Sequence, residues 1–119
     1  MPVPAEVRER LRAFLPEGAR MRYVCPIALA GGSACLYLVV ADSMITLVST
    51  RLLRPSEPDA VWSVYPRRVR LGPVETGSTP MFRLGEYWYE IDDEYIAVIS
   101  AADAELGTAA LPDDPFPDG

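Results

Sequence analysis

A chain of 119 residues, half of them hydrophobic, is the size of one ordinary domain with a core of its own. A formal charge of −6 argues against a general binder of phosphate backbones or anionic membranes. The absence of histidine removes the commonest general base and the commonest metal ligand.

The charge is unevenly placed. All eleven basic residues are arginine and all lie within residues 1–83, alongside seven acids, whereas residues 84–119 hold ten acids and no base. The arginine-only bias, with abundant alanine and proline, fits a GC-rich coding sequence of bacterial or phage kind. Residues 1–12 lack an apolar run, so no signal peptide is expected, and a reduced, cytoplasmic protein is the expectation.

Residues 4–15 read as a short helix. Proline is tolerated at a helix start, and Val7, Leu11, Phe14 and Leu15 form one apolar stripe. Glu6 and Arg10 are spaced to pair on the wet face. Pro16 and Gly18 end the helix. The stripe predicts that the helix docks, either on its own sheet or on a partner chain.

Residues 23–41 contain no charge, nineteen positions in all. That is near the length of a membrane span, and Arg20 and Arg22 flank one end. Yet Pro26, Gly31, Gly32 and Ser33 fall where a spanning helix would be weakest. The favoured reading is a strand at 20–29, a turn at 30–33 and a strand at 34–40 covered on both faces. A hairpin turning at Gly31–Gly32 sets Cys25 opposite Leu38 and Cys35 opposite Ala28. The two thiols then face opposite ways and no disulfide is expected; both read as small buried hydrophobes. After a tight turn at 41–43, a third strand covers 44–50.

Residues 51–59, punctuated by Pro55 and Pro58, read as a loop, and residues 60–65 as a fourth strand. Residues 67–74 show the cleanest alternation: Val69 and Leu71 point one way, Arg68 and Arg70 the other, which predicts a fifth strand. Residues 75–80 form a polar loop. Short strands follow at 81–84 and 87–91 around a Gly85–Glu86 turn, making about seven. Residues from Asp92 onward suit either a strand or a helix. The helix is favoured, with Asp92 as N-cap, acids in the first turn, Tyr95, Val98, Ile99, Ala102 and Leu106 on one face, and Gly107 as a stop. One domain is expected over 1–106, with an acidic, proline-rich and disordered tail at 107–119.

The fold class expected is therefore α+β, mainly antiparallel β, with a helix at each end. The stretch VVADSMITLVS (39–49) resembles the strand, tight turn and strand of bacterial pleckstrin-homology-like (PH-like) and GRAM-type domains. The closing YEIDDEYIAVISAADAEL (89–106) resembles their last strand passing into a capping helix. The resemblance covers roughly residues 18–106. It implies a seven-stranded half-barrel plugged by the C-terminal helix, and a non-catalytic domain that binds lipids, peptides or proteins. Lipid-binding members usually carry bases in and beside the first hairpin loop. Here that loop is Ala30-Gly31-Gly32-Ser33, so phosphoinositide binding is not expected.

Arg67, Arg68 and Arg70, with Arg83 beside them, form the one dense basic patch, to which Arg51 and Arg54 can add. The patch suits an acidic peptide, a phosphate or the chain's own acidic tail, and otherwise is a solvated strand face. Trp62, Tyr65, Tyr87, Trp88 and Tyr89 suit core filling or a binding surface. Tyr65 and Trp88 are the two expected at a partner contact. Glu86, Glu90 and Asp92 share parity with Trp88, which gives an acidic aromatic face or simply an exposed one. Asp92-Asp93-Glu94 and Asp113-Asp114 lack calcium-loop spacing, GGSAC is no nucleophile elbow, and Gly31–Gly32 complete no nucleotide motif.

No catalytic residue, metal or cofactor is expected. The leading expectation is a protein- or peptide-binding module, possessing no nucleic-acid function. The alternative is a structural subunit of a larger assembly, such as a phage tail or neck component. A membrane-associated protein using residues 23–41 comes third, and a hydrolase or metal enzyme last.

Overall fold

A computed structural model describes residues 3–32, 34–51 and 54–110. Helix α1 spans Ala5–Arg12, and the Pro4 carbonyl accepts its first amides, from Val7 and Arg8. Eight residues are too few for a helix to persist alone in water. What holds α1 is burial of Val7 and Leu11, one turn apart, each worth roughly 1.5–3 kcal/mol. They pack with Val3 on the chain's own sheet, against Val24, Tyr37, Val39 and Val48, so the apolar stripe docks within the chain.

Six strands follow: β1 Met21–Leu29, β2 Cys35–Ala41, β3 Met44–Arg51, β4 Arg54–Pro66, β5 Met81–Leu84 and β6 Tyr87–Glu90. They form one antiparallel half-barrel in the order β4-β3-β2-β1-β6-β5. A 3₁₀ turn, Asp93–Tyr95, then leads into helix α2, Ile96–Ala110. The uncharged stretch 23–41 is the β1–β2 hairpin, and no helix among the described residues is long and apolar enough to cross a membrane.

The register of that hairpin is the one its glycine turn predicts, with Cys25 opposite Leu38 and Ala28 opposite Cys35. Gly31 and Gly32 both take positive φ, 98° and 75°, as the turn requires. Cys25 is buried as expected, but Cys35, the first residue of β2 beside the turn, is exposed rather than buried, and neither is in a disulfide. Burial pushes the Cys25 thiol up to about 12. β6 pairs with β1 only at Ala28 and Leu29, so Pro26, which has no amide proton, borders an unpaired stretch.

The sheet is covered on both faces. On one lies α1. On the other, Tyr95, Ile99 and Ala102 of the closing segment pack on Cys25, Leu36, Leu38, Ile45, Leu47, Phe82 and Tyr89. Two-sided cover explains why residues 36–41 are all buried and read as an unbroken apolar run.

The structure corrects the expected element list in three places. Residues 51–59 are not simply a loop: β3 and β4 form one long hairpin, with Arg51 already opposite Arg54. β4 is the terminal strand, where Pro58 and Pro66 forfeit few ladder bonds. Residues 67–74 form no strand, which leaves six strands among the described residues where about seven were expected. Lastly, α2 continues past Gly107 to Ala110, because a single helical glycine costs only about 1 kcal/mol and Thr-Ala-Ala follows it. Residues 107–110 of the expected tail are thus helical, while residues 111–119 of it, with Ser33, Leu52 and Leu53, lie outside the described residues.

Candidate functional site

The connector between β4 and β5 sets the site. Its predicted facing is present although its ladder is not. Leu71 is fully buried and Val69 partly buried against the α2-side core, while Arg68 and Arg70 are exposed. The amides of Leu71 and Gly72 donate instead to the two carboxylate oxygens of Asp103 on α2, each at 2.8 Å. Glycine suits position 72, since a Cβ there would stand 3.1 Å from an Asp103 oxygen. One carboxylate thus does for this segment what a neighbouring strand would do.

Arg67 turns back onto the same helix. Its Nη2 donates to the Ala102 carbonyl at 3.0 Å and to Glu105 at 3.4 Å, and its side chain is only 13% exposed. Glu105 also accepts from Arg22 Nη2 at 2.9 Å and from the Tyr23 hydroxyl at 2.6 Å. The bond from Arg22, followed by that from Tyr23, holds the Glu105 carboxyl below its ordinary range. The same contact raises the Tyr23 hydroxyl. Arg67 is thereby withdrawn from the basic patch into a clamp joining α2 to β1 and the end of β4. Its Nη1 is buried without a partner.

The β5–β6 hairpin supplies the exposed chemistry. Alternation along its four-residue strands sends Phe82, Leu84 and Tyr89 into the core, with the Phe82 and Tyr89 rings 5.8 Å apart. It sends Arg83 and Trp88, which are cross-strand partners, outward together. Arg83 Nε donates to the Gly85 carbonyl at 3.3 Å, which fixes the guanidinium near the hairpin tip. Tyr87 and Trp88 are 50% and 39% exposed. Gly85 turns the hairpin with φ of 66°, and a Cβ there would lie 2.5 Å from the Tyr65 hydroxyl. The tip therefore rests on Tyr65 of β4.

Of the six residues assigned to a partner contact, Arg83 and Trp88 pair on the outer face of the hairpin, and Tyr65 lies beneath its tip at Gly85. Arg68 and Arg70 stand exposed on the connector that leaves Pro66, and Arg67 does not reach the surface patch. Arg51, at the end of β3, and Arg54, at the start of β4, lie at the opposite end of the β3–β4 hairpin from Pro66 and pair with Glu57. Glu90 and Asp92 line a separate cleft of about 220 Å³ with Pro26 and Thr79. No group of three or more potential metal ligands occurs among the described residues.

Trp62 is the extra residue of a bulge, since Val61 faces Val48 while Ser63 faces Leu47. Its indole N–H lies toward the buried Tyr89 hydroxyl, whose pKa burial raises and the indole lowers by less. Asp103 and Glu105 went unread in the sequence. Nothing local separates them from other acids on a helix, and only the docked connector gives them their work.

Compared with known proteins, the chain matches no family model, no curated protein and no solved structure.

Proposed function

We propose that the chain is a non-catalytic protein- or peptide-binding module with a PH-like fold. Support for the fold comes from the order of its parts: an antiparallel half-barrel whose last strand runs into a helix packed on the core face. The observation that carries the function is the outward pairing of Arg83 and Trp88 on a hairpin anchored by Tyr65. An indole offers a large, rigid apolar contact, and a guanidinium pairs with carboxylate in two-point geometry. Arg68 and Arg70 add positive charge on the connector. The partner that fits is an extended peptide with an apolar anchor and at least one acidic residue.

Panning a displayed random-peptide library against the full chain tests this. Enriched sequences should carry acids near an aromatic or aliphatic residue. They should lose about tenfold or more in affinity for Trp88→Ala and for the Arg68→Glu/Arg70→Glu double variant. No enrichment, or binding that ignores both variants, contradicts the reading. A second reading, a subunit of a larger assembly, is favoured by one observation: β4 leaves a long strand edge unpaired among the described residues.

A further inference from the structure

We infer that β4 pairs antiparallel with β4 of a second copy of this chain, about a two-fold axis at Trp62–Ser63. β4 is thirteen residues long and, among the described residues, is bonded to β3 on one side only. Prolines 55, 58 and 66 have no amide proton and cannot donate to a further ladder. The stretch that keeps its donors is residues 59–65.

The facing of this stretch is self-complementary. Ala60, Ser63 and Tyr65 oppose Ser49, Leu47 and Ile45, on the face covered by α2. Val61 and Val64 oppose Val48 and Thr46, on the face covered by α1. Two positions three apart share a face only because the bulge at Trp62 intervenes. From residue 60 to 65 the faces therefore read the same forwards and backwards. An antiparallel copy in the register Val61 opposite Val64 keeps both faces in phase throughout. It also sets Val61 of each chain against Val64 of the other, covering valines that are 46% and 56% exposed in the monomer. This is the isologous arrangement in which one patch serves as its own partner.

β4 shifts register again at Asp59, between Ala60 and Pro58, so the ladder ends at residues 60 and 65, and exposed Asp59 of each chain then lies toward the Arg67–Arg68 turn of the other. The hairpin tip does not block the edge: Tyr65 points to the α2-side face, so Gly85 lies over the face of β4. A six-residue ladder buries well under the ~1,200 Å² of a stable complex, so association falls in the micromolar range or weaker. The ladder shares Tyr65 with the peptide-binding site but neither Arg83 nor Trp88, so Val64→Lys and Trp88→Ala separate the two readings.

The test uses the full chain in two arms. In sedimentation from low micromolar to millimolar concentration, the native chain should pass from monomer to dimer. Val64→Lys, an exposed change that melts at the native temperature, should weaken dimerisation about tenfold or more. In the second arm Cys35 is replaced by Ser, and chains carrying Val61→Cys and Val64→Cys are mixed under mild oxidation. The mixture should cross-link faster than either chain alone, because each new thiol faces its counterpart only across the two chains. A chain that stays monomeric at every concentration, a dimer indifferent to Val64→Lys, or a mixture that links no faster than its components overturns the inference.

Discussion

The two margins of the sheet are built in opposite ways. β4 is long, and its backbone carries the guards of an edge strand: prolines at both ends and a bulge near the middle. β5 is four residues long and needs no such guards, because it offers little edge to pair. Its hairpin instead displays side chains, Arg83 and Trp88, on an exposed face. One margin is thus suited to contacts made through the main chain and the other to contacts made through side chains. They touch where Tyr65 lies beneath Gly85 and where the Trp62 indole lies beside the Tyr89 hydroxyl.

The connector between the margins gives the largest lever on this arrangement. Asp103→Ala removes the acceptor from two amides, and the expected cost is about 2–4 kcal/mol in urea unfolding. Asp103→Asn keeps one acceptor oxygen and should recover roughly half of that. If the alanine variant unfolds like the native chain, the connector is held by other means.

Next in size is the contact between the margins. Gly85→Ala adds a methyl that meets the Tyr65 hydroxyl, at a φ of 66° that side chains other than glycine adopt at a cost. The expected loss is about 1–3 kcal/mol. Adding Tyr65→Phe, which removes the clashing oxygen, should return part of it, whereas strict additivity would mean that the two margins do not touch there.

The smallest expected effect is on the Glu105 clamp, whose partly exposed groups are screened by solvent. In the folded chain the carboxyl is held below its ordinary value of 4.5, by Arg22 and then Tyr23. It therefore stabilises the fold fully above that value, and the contribution is lost as pH falls through the folded value. The stability gap between native chain and Glu105→Gln should be constant near neutrality and close in acid. A gap that widens on acidification would reverse the assigned direction.

How much of this was legible in the sequence varies with whether the cause is local. The register of β1 on β2 follows from two glycines and an uncharged run, and it could be written down residue by residue. The closing helix was readable from the spacing of Tyr95, Ile99 and Ala102. The extension of β4 was not, because Pro55 and Pro58 read as breakers until their strand is known to lie at an edge. Residues 67–74 show the converse. Alternation announced which side chains face in, correctly, but facing does not supply a neighbour, and the amides went to Asp103. For the same reason Arg67 and Arg68, adjacent and alike in sequence, ended in opposite roles: one clamps α2 and the other meets solvent.

The chain has two tryptophans, and each marks one margin: Trp62 the β4 edge and Trp88 the hairpin face. Following their two indole N–H signals by NMR tests the division of labour most directly. Adding a peptide enriched by panning should shift the Trp88 signal and leave Trp62 in place. Raising the protein concentration without peptide should do the reverse. A peptide that moves Trp62 and leaves Trp88 unmoved, or signals that answer both titrations alike, would contradict it.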